Sequence, residues 1–530
     1  MILNTKKNTN SQMRLSHLCL ILLAVMVLGG CRQQADTEGK DTDSHAYFNG
    51  PLSVHPGNPR YFTDNSGKAI YLAGSHTWQN LMDFVAEGDD PFDYTEYLDM
   101  MEANHHNFMR MWAWEQTRMG AWTADTIYAS PNPFQRTGPG RAIDGEPRFD
   151  LTRYNPAYFD RLRRRVEQAG QRGIYVSVML FNGWSLDRID SKVGNPFPFQ
   201  PYNIANNINN VGVPETPGDY NTKPSLHNMM ISPDLLALQE AYVKHVIETV
   251  NDLDNVLYEI INESGSLDDV YPADKSKGAV ISWHHHMINF IKKTESTMPK
   301  QHPVGFTHTG DGKLPNQVLF DSPADWISPN AADCEWEYDG SKQSSSYRTD
   351  PPDAKGKKVV FADTDHLWGH GGNHIWVWKC FLRGANPIFM DPWYPMAGKE
   401  DEEKTAGWIY LKGGITKDDR DYHDFDLVRK NMGYTILYAR RLALNHTIPH
   451  PELSSTGYCL ANPGREYLVY FPEGGRATID LREFAGSYTV EWFIPLTNRT
   501  IIGPKTVKGG DYLDIEPPTI LDAVLYLKKV

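Results

Sequence analysis

Short apolar runs and amphipathic stretches alternate along the middle of this chain, and that alternation limits the folds open to it more than any other feature. Apolar runs occupy 69–74, 106–114, 173–181, 256–261, 303–307, 326–328, 358–362 and 387–390. Between them, residues 91–103, 156–172, 233–250, 279–294, 374–383 and 424–443 have helical character. In 156–172, Tyr158, Leu162, Val166 and Ala169 recur near the 3.6-residue period of one helix face. Ser232 before Pro233 has the chemistry of an N-cap followed by proline at the first helical position. Strands that alternate with helices pair in parallel through right-handed crossovers. Eight such units predict an α/β fold of the (β/α)8 TIM-barrel type. A doubly wound sheet shares the alternation, but no glycine-rich phosphate turn follows any of these runs.

Loop lengths sharpen the prediction. Links from helix to strand are short (168–172, 251–255), whereas links from strand to helix are long (115–154, 184–231, 330–356, 393–424). In a barrel all strand-to-helix loops lie on the C-terminal face, so the extra chain is expected to wall a cleft there. Residues 48–68 read as a hairpin leading into the first strand, giving a barrel region over 47–450. Beyond it the pattern becomes short alternating strands at 466–471, 477–481, 488–493, 512–515 and 523–527, separated by turn residues such as Gly474-Gly475 and Gly509-Gly510. A small antiparallel β-sandwich is expected over 451–530.

The N-terminus reads as an address. Lys6, Lys7 and Arg14 precede an apolar run over 18–28, which is too short to span a bilayer and suits a signal peptide. Leu28-Gly29-Gly30-Cys31 resembles the lipobox of bacterial lipoproteins, with a plain secretory signal as the alternative. The resemblance implies a signal peptide over 1–30, lipidation at Cys31 and a polar flexible tether over 31–46. The expected location is the bacterial cell envelope, anchored to a membrane by lipid, on the surface or periplasmic side of the outer membrane. A formal charge of −14 argues against a nucleic-acid partner, which would require a basic patch. Five cysteines in 530 residues exclude a disulfide scaffold. Cys334, Cys380 and Cys459 are far apart and form no CxxC pair, so they read as structural or free thiols.

Chemistry is expected at strand ends. Asn262-Glu263 closes the fourth apolar run. A carboxyl at the end of a buried strand is partly desolvated, which favours the protonated form that a general acid needs. Asp363-Thr364-Asp365-His366 follows the seventh run. Its carboxylates, two apart on extended chain, share a face, and either could partner Glu263. Arg110 alternates with Phe108, Trp112 and Trp114 on the second strand. An arginine aimed into a barrel requires a carboxylate, which it would hold ionised. Trp78, Trp112, Trp114, Trp184, Trp368 and Trp393 sit at strand ends or early in loops, where indole faces could pack against sugar rings. His76, His308 and His366 are candidates for binding hydroxyls. His284-His285-His286 reads as a partly solvated helix face.

These motifs resemble those of the clan A (β/α)8 glycoside hydrolases. Asn107-Phe108-Met109-Arg110 is similar to their Asn-x-x-Arg on strand two, and Asn262-Glu263 to their acid/base pair after strand four. Within the clan the chain looks most like an apiosidase-like group of bacterial lipoproteins, in which a small β-sandwich labelled collagen-binding follows the barrel. The resemblance implies a carbohydrate substrate, no cofactor and a two-carboxylate, retaining hydrolysis of a poly- or oligosaccharide. Glu263 would be the acid/base, with Asn262 and Arg110 beside it. The chain departs from the family at strand seven, where aspartates stand in place of the usual glutamate. One alignment puts Asp365 at the nucleophile position, and another favours Asp363. Two other classes stay open. One is a non-catalytic surface glycan-binding lipoprotein. The other is a metal-dependent hydrolase centred on Asp363, Asp365 and His366.

Overall fold

The computed structural model describes residues 47–530 apart from 89, 120–125, 184–195, 214–225, 265–272, 309–315, 331–349, 353–354, 368–371, 392, 394–424 and 504–505. The signal peptide, Cys31, the tether, Trp184 and Trp368 lie outside the described residues.

Eight strands close into a barrel: β1 Gly74–His76, β2 Phe108–Met111, β3 Tyr175–Asn182, β4 Val256–Asn262, β5 Val304–Thr307, β6 Trp326–Ser328, β7 Val359–Asp363 and β8 Asn386–Met390. Every neighbouring pair is parallel. Helices follow the strands: α1 Tyr94–Ala103, α2 Pro156–Gly170, α3 Pro233–Val250, α4 Ala273–Glu295, the short α5 Asn316–Phe320, α6 His374–Leu382 and α7 Phe425–Arg441. The cap predicted at Ser232 forms, and the structure adds another ahead of α2. The Ser232 side chain accepts from the Leu235 N–H, and Asn155 accepts from Ala157 ahead of Pro156. These caps satisfy donors that the first helical turn leaves unpaired.

Alternation along each strand sorts the barrel interior into layers. The lower layer is apolar: Leu72, Phe108, Tyr175, Leu257, Trp326, Phe361 and Ile388 pack together, capped by Leu52 and Phe62. Phe62 belongs to, and Leu52 directly precedes, the antiparallel pair Ser53–Val54 and Phe62–Thr63, the expected hairpin, which plugs the barrel floor. Gly305 is required here, because a Cβ on it would sit about 2.0 Å from the Trp326 ring. Two residues further along each strand the interior turns polar, with Arg110, Glu259, Thr307, Ser328 and Asp363 all buried.

The long β2–α2 connection carries structure of its own. Phe134–Arg141 pairs with Pro147–Tyr154, and Ile127–Ser130 pairs with both Asp83–Ala86 and Arg118–Met119. After α7 the chain forms antiparallel sheets of seven and two strands. Ala477–Asp480 and Tyr512–Ile515 make the smaller one, and their Ile479, Leu513 and Ile515 pack on Val469, Trp492 and Leu525 of the larger. The opposite face of the larger sheet meets the barrel helices. Trp378 of α6 lies 5.9 Å from Phe493 and 6.1 Å from Tyr470, and Arg441 of α7 forks onto Glu491 at 2.7 Å.

Candidate active site

The polar layer converges on Arg110. Its Nε and NH2 donate to the two Glu259 oxygens at 2.6 and 2.5 Å. NH2 also donates to the Asn262 amide oxygen at 2.6 Å. NH1 reaches Asp365 at 2.9 Å and Asp363 at 3.3 Å. The guanidinium is 2 % exposed. Burial opposes its charge, but Glu259, Asp363 and Asp365 together raise its pKa further above the ordinary value. Glu259 is the main partner that this arginine requires. It lies on β4 three residues before Asn262, and Thr307 donates a further bond to it at 2.9 Å. The sequence signal for Glu259 was a lone carboxylate inside an apolar strand, which must be paired to be buried.

Asp363 and Asp365 divide their tasks. Asp363, the last residue of β7, is 1 % exposed. One of its oxygens accepts from His76 Nε2 at 3.1 Å and from the Asp365 N–H at 2.9 Å, and the other meets Arg110. Burial favours the neutral acid, but His76 and Arg110 outweigh it and hold Asp363 below the usual carboxylate range. Asp365 sits in the single helical turn Thr364–Leu367 beyond the strand. A carboxylate oxygen of Glu263, one of Asp365 and a ring nitrogen of His366 all lie within 4.8 Å of one another. The structure therefore brings Glu263 and Asp365 together, although about a hundred residues separate them in the chain. Glu263 has φ 45°, a left-handed backbone that costs a non-glycine residue about 1–3 kcal/mol and recurs at functional sites.

His366 bonds Ser328 at 3.1 Å through Nδ1 and Asn262 Oδ1 at 3.3 Å through Nε2. An amide oxygen only accepts, so the proton sits on Nε2. Burial lowers the His366 pKa against the pull of Asp365, which keeps the ring neutral. His284 is fully buried and bonds Ser264 at 3.1 Å, so the solvated reading of that helix face is corrected at this position. Asn182 faces Asn262 across the β3–β4 register, 3.4 Å away, and its N–H donates to Glu115 at 3.0 Å.

The tryptophans divide differently from the expectation. Trp112 is 1 % exposed, lies 4.9 Å from the Arg110 guanidinium and stacks on His76 at 5.3 Å. Trp114 stacks on Phe84 at 4.1 Å and donates its N–H to the Trp78 carbonyl. Trp78, Trp112 and Trp114 thus form a packed cluster beside Arg110 and His76 and present no open ring face for sugar. Aromatic rings that pair with each other and with a cation already have the partners that a sugar would otherwise supply. Trp393 is half-buried, with Arg429 5.0 Å from its ring.

His308 follows β5 and shares a 3.0 Å hydrogen bond with Asn330. Burial, with His366 adding to it, pushes His308 down to about 3. Burial likewise pushes His106 to about 4. Both rings are neutral in the fold at pH 7, whereas in the unfolded chain each takes a proton near pH 6.5. Below about 6.5 the unfolded state holds more protons, so stability falls with pH by about 1.4 kcal/mol per unit for each ring. Denaturant midpoints measured from pH 7 to 5 are expected to show this slope. His308→Gln should flatten it, and an unchanged slope would contradict the buried neutral ring.

Residues 117–268, which run from the β2–α2 connection through Glu263, match a family profile described as a domain of unknown function, DUF6298. No curated protein matches the chain. Solved structures do. A glycoside hydrolase family 5 protein from Bacteroides vulgatus aligns at TM-score 0.55 and 13% identity, covering 91% of this chain and 94% of its own. A further glycoside hydrolase aligns at TM-score 0.51 and 13% identity, covering 91% and 97%. At such identity the likeness is one of fold, and that fold is the (β/α)8 barrel.

Proposed function

We propose that this protein is a glycoside hydrolase acting on a poly- or oligosaccharide by a two-carboxylate, retaining mechanism. The observation that carries the reading is the approach of Glu263 to Asp365 within 4.8 Å, with Asp365 tied to Arg110. Retaining enzymes hold their carboxyl groups about 5–5.5 Å apart, and inverting ones about 6.5–9.5 Å apart to admit water. Glu263 protonates the glycosidic oxygen as Asp365 attacks the anomeric carbon. The bond to the leaving sugar breaks and a glycosyl ester on Asp365 forms. Glu263, now a carboxylate, takes a proton from water, which displaces Asp365. Arg110, 2.9 Å away, holds the Asp365 carboxylate in place for the attack. Asn262, held through its oxygen by Arg110 and His366, offers its N–H to a hydroxyl beside the reacting carbon. Asp363 has both oxygens engaged and positions its neighbours, which favours Asp365 over Asp363 as nucleophile. Screening plant and host polysaccharides, followed by proton NMR of the first product, tests the reading. The anomer formed first is expected to match the substrate, and the opposite anomer would reject the double displacement.

The Glu263, Asp365 and His366 cluster also bears on the metal-dependent alternative, with Asp363 replaced by Glu263 in the ligand set. The Arg110 guanidinium already lies 2.9 Å from Asp365, and its positive charge opposes a second cation there. Dialysis against EDTA is therefore expected to leave turnover unchanged. Loss on dialysis with return on adding a divalent ion would support the metal reading instead.

The apiosidase-like affiliation belongs to the same proposal, as do lipidation at Cys31 and anchoring in the bacterial cell envelope. Cys31→Ser is expected to shift the protein from the membrane fraction to the soluble one.

A further inference from the structure

We propose that a second recess on the catalytic face, built by the β2–α2 connection, is a subsite for an acidic sugar unit of a longer substrate chain. The inference rests on the glycosidase reading for the word substrate, but its geometry is independent of the carboxylate pair. The recess has a volume of about 720 Å³. Arg118 and Tyr128, both in its lining, stand directly opposite each other on the antiparallel pair Arg118–Met119 and Ile127–Ser130. Residues so paired project their side chains from the same face, with Cβ atoms about 4.5–5.5 Å apart.

The two side chains suit a charged sugar. Tyr128 is 41% exposed, so it offers ring surface on which a pyranose can stack. The Arg118 guanidinium lies 4.0 Å from the Phe199 ring, which fixes its plane. Among the described residues no carboxylate pairs with it. The second arginine of the recess, Arg136, is different: it forks onto Asp144 and is neutralised there. Arg118 is thus an oriented cation facing an open recess whose other charges are the Arg136–Asp144 pair and the solvent-exposed Glu146. A planar fork of N–H donors matches two oxygens of a carboxylate or a sulfate. The ligand chemistry is therefore an anionic substituent on a sugar ring, supplied either by a uronic acid or by a sulfate ester. Gln135 donates through Nε2 to the Tyr154 carbonyl, which leaves its amide oxygen to accept from a sugar hydroxyl.

Hydrogen bonds join the recess to the reacting groups. Asn132 in its lining donates to the Glu115 carbonyl at 3.2 Å. The Glu115 carboxylate accepts from the Asn182 N–H, and Asn182 stands beside Asn262. One glycan chain running along this face would pass from the recess to Glu263.

Binding to Glu263→Gln protein, measured by calorimetry, tests the subsite without asking for turnover. The probes are oligogalacturonate and its methyl ester, carrageenan oligosaccharides and their desulfated form, and neutral xylo-oligosaccharides. One acidic probe is expected to bind more tightly than its charge-free counterpart. Adding Arg118→Ala should weaken that probe at least about tenfold and leave the neutral form unchanged. Arg118→Lys, which keeps the charge but not the fork, should fall between. Tyr128→Ala should weaken charged and neutral forms alike. The oligogalacturonate and carrageenan arms separate a carboxylate from a sulfate. In otherwise wild-type protein, Arg118→Ala should leave turnover of a short aryl glycoside unchanged. No preference for an acidic probe, or equal binding by Arg118→Ala protein of unchanged melting temperature, would overturn the subsite. Charge-selective binding that depends on Arg118 in a protein that cleaves nothing would reject the glycosidase reading and support the recess as a binding site.

Discussion

Glu263→Gln should lower kcat by about 10²–10⁴-fold on a sugar leaving group, with the fold intact. The reason is local. Glutamine keeps the side-chain volume beside Asp365 and His366 but has no proton to give to the departing oxygen. The loss should depend on that oxygen. A dinitrophenolate leaves without protonation, so the first displacement survives and the variant releases one burst of phenolate before stalling as the glycosyl ester. Azide, which needs no general base, should then restart turnover. Burst kinetics and circular dichroism check both halves. Full steady-state activity in a folded variant would remove Glu263 from the mechanism.

The second large effect is on stability. Arg110→Met keeps the bulk of the side chain but strips the cation from Glu259 and Asp363, which are 0 % and 1 % exposed. Leaving buried carboxylates uncompensated costs about 3–5 kcal/mol. Urea unfolding should show a loss in that range, and activity should fall with it as Asp365 loses its cation. Adding Glu259→Met removes the charge with the fewest other partners. It should restore part of the stability and none of the activity, because an apolar pair replaces an ion pair at little cost. Wild-type stability in the single variant would mean that these carboxylates do not depend on Arg110.

The barrel was legible because its strands, buried on both sides, form unbroken apolar runs. The ends of those runs were not. The first apolar run, 69–74, stops where β1 Gly74–His76 begins, because Ser75 and His76 look like loop residues until the polar layer inside the barrel is known. The same layer takes Asn262 into β4 and Asp363 into β7. The candidate carboxylates were legible from their places after strands four and seven. The Arg110–Glu259 pair was not, because it depends on how two distant strands bring their faces together across the barrel. Tryptophans at strand ends carry no mark of burial in sequence. The sequence around Trp112 suits a cleft wall equally well, and the structure spends its face on Arg110 and His76. The hairpin Phe134–Arg141 and Pro147–Tyr154 was hidden by Gly138-Pro139-Gly140, residues that usually interrupt strands.

The packing of the C-terminal sheets on α6 and α7 makes them a poor candidate for a detachable appendage. Trp378, on the helix that follows the Asp365 turn, rests its ring on Phe493 and Tyr470, and Arg441 reaches Glu491. Trimming the chain after α7 would expose that tryptophan to water and loosen the wall behind Asp365. Barrel and sheets share that apolar seam, so a shortened version would need a new cover for it.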